Sequence, residues 1–186
     1  MGWKITTESA TLPWTTAQVK DYLKVDDNEE DNLIHNIIHA ATRAAERYLN
    51  QAIITQTITE KLDRFKDIDI YLSVSPLQSV TSVSYKDSNN TLQTMSSGDY
   101  VVDDYSDPAR LSIGFGKTWP TTYGNRNDVT IVYQAGYASE SSGVPYSIRQ
   151  AILLICADMY ENRTDYVKRL PSASEYLLDQ YRCQFF

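Results

Sequence analysis

The stretch AAERYLNQAIITQTIT, residues 44–59, decides the fold class, because the chain changes its period inside it. On the N-terminal side, apolar positions recur at helical spacing. Leu33, Ile37, Ala41, Ala44 and Tyr48, flanked by Ile34, Ile38 and Ala45, form one broad stripe, the mark of an amphipathic helix with one buried face. That helix is predicted to start after Asp27 and to end near Asn50. From Ile53 to Thr59 the residues are Ile, Thr and Gln. Side chains branched at Cβ are stiff in a helix and pack well in a strand. The spacing predicts helix before Asn50 and strand after Ile53.

The strand texture continues to Ala135. Thr81, Val83 and Tyr85 alternate with Ser82 and Ser84, Ser88-Asn89-Asn90 marks a turn, and short β-prone runs follow at 100–102, 111–113 and 129–133. This spacing predicts an antiparallel block of roughly five to seven strands. Helix returns in VPYSIRQAILLICADMYENR, residues 144–163, where Pro145 suits a first helical turn. Ile148, Ile152, Ile155 and Met159 form one row, expected to bury against the stripe of the earlier helix. The unbroken apolar run, 151–157, has seven residues, whereas a membrane span needs about 20. It reads as a buried core helix.

Three capping boxes are legible. Thr15-Thr16-Ala17-Gln18 starts a first helix running to about Val25, with Trp14 placed to staple on Val19. Asp27 with Glu30 precedes the second helix, and Ser172-Ala173-Ser174-Glu175 follows Pro171 into a last short one. The expected architecture is one α+β domain over residues 1–186. Terminal helices (15–50 and 144–182) form a small bundle, a β-rich insertion (53–136) lies between helices two and three, and residues 171–186 form a docking tail.

Charge narrows the function. The net charge is −7 and the pI about 4.8. A domain gripping nucleic acid by counterion release presents a basic patch, and no Lys/Arg cluster appears. The densest charge run is acidic, residues 26–31, where carboxylates oppose the positive end of a helix dipole. Cys156 and Cys183 lack zinc-ligand spacing. Cys156 reads as a small buried hydrophobe in a reducing compartment. The first residues lack the apolar core of a signal peptide.

Motifs of chemistry fail one by one. His35 and His39 stand at i, i+4, a spacing that can hold zinc, but Asn36 replaces the Glu of HExxH. Gly114-Phe115-Gly116-Lys117-Thr118 resembles the end of a phosphate loop, yet the earlier glycine position is Leu111 and Trp119-Pro120 blocks the helix that should follow. The run from Asp87 begins like a calcium loop but has Leu92 at position six and Gly98 at position twelve. Asp103, Asp104 and Asp107-Pro108 read first as turn formers. There is no GxSxG. No catalytic residue, metal or cofactor is predicted. What stands out is 14 tyrosines and three tryptophans, residue types favoured in interface cores. Tyr181, Phe185 and Phe186 close the chain, where docking against a partner would use them.

The motifs also occur in a familiar order. Gln18-Val19-Lys20-Asp21-Tyr22-Leu23 and Asp31-Asn32-Leu33-Ile34 precede Ala44-Ala45-Glu46-Arg47-Tyr48-Leu49. Leu62-Asp63-Arg64-Phe65, Ser75-Pro76-Leu77, Trp119-Pro120 and Gln134-Ala135-Gly136-Tyr137 follow. Val144-Pro145 then leads into Ile148-Arg149-Gln150-Ala151 and closes on Tyr160-Glu161-Asn162-Arg163, with Leu177-Leu178 and Tyr181-Arg182 last. This ordered set resembles the head–tail connector (adaptor, or head-completion) proteins of tailed bacteriophages. The resemblance implies no catalysis. It implies a self-assembled ring, typically twelvefold, beneath the portal protein, extending the DNA channel and offering a platform for a tail-completion or stopper protein. Double-stranded DNA would pass without specific binding. The location would be the virion neck, after assembly in the host bacterial cytoplasm. The C-terminal segment would reach the portal, through Tyr176, Leu177, Leu178, Tyr181, Arg182, Phe185 and Phe186. Two rival readings are a tail-side binding module with a β platform and a metal-dependent enzyme at His35 and His39.

Overall fold

The computed structural model describes residues 2–65, 69–163 and 170–182. The fold is α+β, with four α-helices and antiparallel sheets among the described residues. The chain divides into two compact units. One holds Ser9–Ile54 and the described residues from Tyr137 onward. The other holds Thr55–Gly136 with the N-terminal strand.

The helical unit contains α1 (Thr16–Leu23), α2 (Asp31–Leu49), α3 (Tyr146–Glu161) and α4 (Ser172–Asp179). The first capping box forms as the sequence predicts. Thr15 Oγ1 accepts from the Gln18 amide at 3.3 Å, and Gln18 Oε1 accepts from the Thr15 amide at 3.0 Å. Both α1 and α2 end on a residue in the left-handed region, Lys24 and Asn50. The other two boxes do not form. Asp27 Oδ1 instead takes the Glu29 amide, and Glu30 is an N-cap without a side-chain cap bond. Pro171 is the N-cap of α4, and the Ser174 hydroxyl donates to its carbonyl at 2.7 Å. In both cases the spacing was right, but the side chains found other partners.

One apolar cluster joins the four helices. On α2 the fully buried row is Ile34, Ile38, Ala41, Ala45 and Leu49, with Ile37 beside it. Leu33 is exposed and Tyr48 half-buried. The face is rotated by about one residue from the Leu33–Tyr48 row. On α3, Ile148, Ile152 and Ile155 are buried, and Met159 packs at the edge of the same cluster. Each such aliphatic side chain contributes about 1.5–3 kcal/mol on burial.

The β unit has eight strands: β1 (Gly2–Thr7), β2 (Gln56–Leu62), β3 (Asp69–Tyr71), β4 (Leu77–Lys86), β5 (Leu92–Thr94), β6 (Tyr100–Asp103), β7 (Arg110–Ile113) and β8 (Val129–Ala135). Five form a sheet in the order β1-β2-β8-β4-β5, and three a second in the order β3-β7-β6. Inward positions alternate with outward ones along β2 and β8. β1 was not anticipated, because its pairing partner in β2 lies far away in sequence. Strand β2 begins at Gln56, not Ile53. Ile53 and Ile54 are buried in the helical unit's cluster instead, so the change of period at 50–55 is also a boundary between units. Within the β core, Glu60 is fully buried. Its carboxylate accepts from the Ser73 amide and hydroxyl, and from the Tyr133 hydroxyl at 3.0 Å. Three donors answer the cost of burying a carboxylate. Burial and the nearby Glu60 charge push the Tyr133 hydroxyl's pKa far above its ordinary value.

Candidate functional site

The candidate surface is α4 with its seat on the helical unit. Leu178 is fully buried in the helical cluster, and Leu177 and Tyr181 pack against it. Two tyrosines, Tyr48 and Tyr137, hold the segment. The Tyr48 hydroxyl donates to Asp179 Oδ1 at 2.6 Å, a bond that raises the Tyr48 pKa because ionising the phenol would set two negative oxygens together. The Arg182 guanidinium lies 5.3 Å from the Tyr48 ring centroid. The Tyr181 ring meets Tyr137 edge-on at 6.2 Å, and the Tyr137 hydroxyl donates to Gln51 Oε1 at 2.6 Å. Of the predicted set, Tyr176 is 81% exposed and Arg182 is exposed as well. Phe185 and Phe186 lie outside the described residues, as does Cys183.

A second seat holds the end of α3. Arg163 donates to Glu30 Oε1 at 2.7 Å and Oε2 at 2.9 Å, the forked geometry natural to a guanidinium and a carboxylate. The Tyr160 hydroxyl also donates to Glu30, and the Arg163 guanidinium covers the Tyr160 ring at 4.5 Å. The Arg163 bond, then the Tyr160 bond, hold the Glu30 carboxyl below its usual range. Trp14 closes the other end of α3. Its Nε1 donates to the Arg149 carbonyl at 2.7 Å, and the Arg149 guanidinium lies 4.2 Å over its ring. Local spacing assigns Glu30 a capping role and Tyr137, Gln51 and Asp179 none, since their partners lie 86 to 133 positions away.

The residues weighed for chemistry have structural partners or stand apart. His35 and His39 are exposed and meet edge-on at 4.9 Å. No group of three or more His, Cys, Asp or Glu among the described residues is placed to hold a metal ion. In the glycine-bearing loop the Gly114 amide donates to the Asp99 carbonyl, and a Cβ there would stand 3.1 Å from that oxygen. Lys117 pairs with the Asp99 carboxylate at 3.1 Å. Asp87 accepts from Gln93 Nε2 and the amides of Thr91 and Asn89, which lower its pKa and close the β4–β5 hairpin. Asp103 is held by Ser106 and Arg110, and Arg110 also reaches Asp69. Burial pushes the Cys156 thiol up to about 12, which leaves it inert as a nucleophile. Asp158 accepts from Asn162 Nδ2.

The chain belongs to the head completion protein family, whose model matches residues 14–174. Solved structures share the fold. A chain in the neck of an empty gene transfer agent (GTA) particle, computed with C6 symmetry, is 21% identical with a TM-score of 0.84. A chain in the virion of the native particle is 22% identical at 0.84. A chain from the native neck computed with C12 symmetry is 23% identical at 0.80. Each match covers 100% of this chain and 97% of the other. No curated protein matches.

Proposed function

We propose that this protein is a structural, non-enzymatic adaptor at the head–tail interface of a tailed phage-like particle. Copies form a ring beneath the portal, typically of twelve, that prolongs the DNA channel and receives a tail-completion or stopper protein. The observation that carries this reading is a fold likeness over the whole chain, at a TM-score of 0.84, to a chain in a particle neck. Family membership supports it, and the C6 and C12 symmetries used for those necks fit a ring. In this reading DNA passes through without specific binding, and the net charge of −7 keeps the channel from holding it.

Contact with the portal is proposed for the C-terminal segment, residues 171–186. Tyr176 is the exposed anchor of α4, while Leu177, Leu178, Tyr181 and Arg182 set its direction through the helical unit. Phe185 and Phe186 complete the segment. The platform for the next component is assigned to the β unit, whose loop residues Tyr105 and Phe115 are fully exposed. Deleting residues 171–186 tests the reading. The truncated chain is expected to leave heads without tails but also loses buried Leu178, so Tyr176→Ala, which keeps Leu178 seated, is expected to fold as wild type and to join heads to tails poorly. Normal joining by that truncation would sink the portal contact, and normal joining in the absence of the whole chain would sink the adaptor role.

A further inference from the structure

The five-stranded sheet turns one face into the β core, where Ile58, Leu62, Ile131 and Tyr133 are buried. Its other face is open and has an unusual composition for an acidic chain. No Asp or Glu occupies an outward position on any of the five strands. Lys4 stands opposite Thr59, Lys61 opposite Thr130 and Lys86 opposite Leu92. The remaining outward positions are mainly Ser, Thr and Gln. At about 4.8 Å between strands and 3.4 Å per residue, the face measures roughly 19 Å across its five strands and about 20 Å along β2 and β8.

Lys20, Arg43, Arg110, Lys117 and Arg163 all make ion pairs. Lys4, Lys61 and Lys86 make none among the described residues. A groove of about 690 Å³ runs along β1, lined by Lys4, Lys61, Thr59 and Asn127 with Trp3 at its side. It has room for an acidic side chain between two ammonium groups.

A complementary surface exists on the same chain. In the turn between α1 and α2, Asp31 is neutralised by Lys20 and Glu30 by Arg163. Asp26 and Glu29 are exposed and carry no ion pair among the described residues. Duplex DNA fits the lysine face less well. DNA carries one charge per roughly 1.7 Å of axis, against three lysines here, and a chain of net charge −7 repels a polyanion at long range.

We propose that the outward sheet face receives the acidic α1–α2 turn of a second copy of this chain. The contact joins two different patches, the head-to-tail kind that closes into rings. It rests on the ring reading above and adds which surfaces meet.

The test is a charge swap read by sedimentation of the purified full-length chain at low salt. Wild type is expected to self-associate, and more weakly as salt rises. Lys4→Glu/Lys61→Glu/Lys86→Glu is expected to associate at least tenfold more weakly. Adding Asp26→Lys/Glu29→Lys to that variant is expected to restore association. All of these side chains are exposed, so circular dichroism should show each variant folded. In assembled particles, Lys61→Cys with Asp26→Cys is expected to give an oxidised ladder of linked chains. Undiminished association of the triple variant, with no ladder, would overturn the pairing and leave the ring reading standing. Rings that form normally in a triple variant that has lost binding to a duplex oligonucleotide would assign the face to nucleic acid, again overturning it. Absence of rings both in solution and in particles would overturn the ring reading itself.

Discussion

The helical unit and the β unit treat their polar groups differently. In the helical unit, charges and phenols are turned inward on neighbours: Lys20 on Asp31, Arg163 and Tyr160 on Glu30, Tyr48 on Asp179. Each bond ties one helix to another or closes the turn between two. In the β unit the polar contacts of charged groups sit mainly in turns and on the small sheet, as with Asp87, Asp103 and Lys117, and the large sheet's outward lysines make no ion pair among the described residues. The contrast suggests a division of labour, with one unit fixed by its own contacts and the other keeping charge available for a partner.

The largest effect should come from the helical core. Ile152→Ala removes a fully buried side chain, with an expected loss of 2–5 kcal/mol (about what such truncations cost), read by denaturant unfolding. An undiminished midpoint would show that the helical cluster is not the stabilising centre. Next is the buried carboxylate of the β unit. Glu60→Ala strands the Tyr133 hydroxyl and the Ser73 donors, and should cost roughly 1–3 kcal/mol. A smaller cost than that of a surface variant would break the claim that the β unit depends on this network. Tyr48→Phe should be milder, under about 1 kcal/mol. It should speed amide exchange in α4 while leaving the β strands unchanged. Equal change in both would remove the local role given to the Tyr48–Asp179 bond.

The smallest prediction is a pH effect. The Glu30 pKa is lowered in the folded chain by Arg163 and Tyr160. Its contribution is therefore present above the ordinary value of 4.5 and is lost as pH falls through the folded pKa. Glu30→Gln should flatten the acid limb of the stability curve relative to wild type. Parallel curves would show that the Glu30 seat contributes nothing to acid stability.

Much of this architecture was legible from local chemistry. The first capping box needs only residues 15–18, and the turn at 88–90 only its own Asn and Ser, so both were readable. The α2 stripe fixed a helix but placed its face one residue off, because rows starting at Leu33 and at Ile34 are both apolar and only packing against α3 selects between them. β1 escaped notice because Trp3-Lys4-Ile5 has no meaning until β2 lies beside it. Glu30 was misread for the same kind of reason. Its spacing from Asp27 suggests a cap, while Arg163, 133 positions later, takes the carboxylate. The tail's aromatics raised only the expectation of docking, and the seat of α4 on Tyr48 and Tyr137 could not be read from them at all.

The central claim is that this chain builds a ring in a particle neck. Electron microscopy of particles carrying a labelled copy of the chain tests it most directly. Label is expected only at the head–tail junction, in a closed ring whose density holds this fold in about twelve copies, the number typical of the rings this chain resembles. Label spread along the tail, or a neck complete without density for this chain, would contradict it.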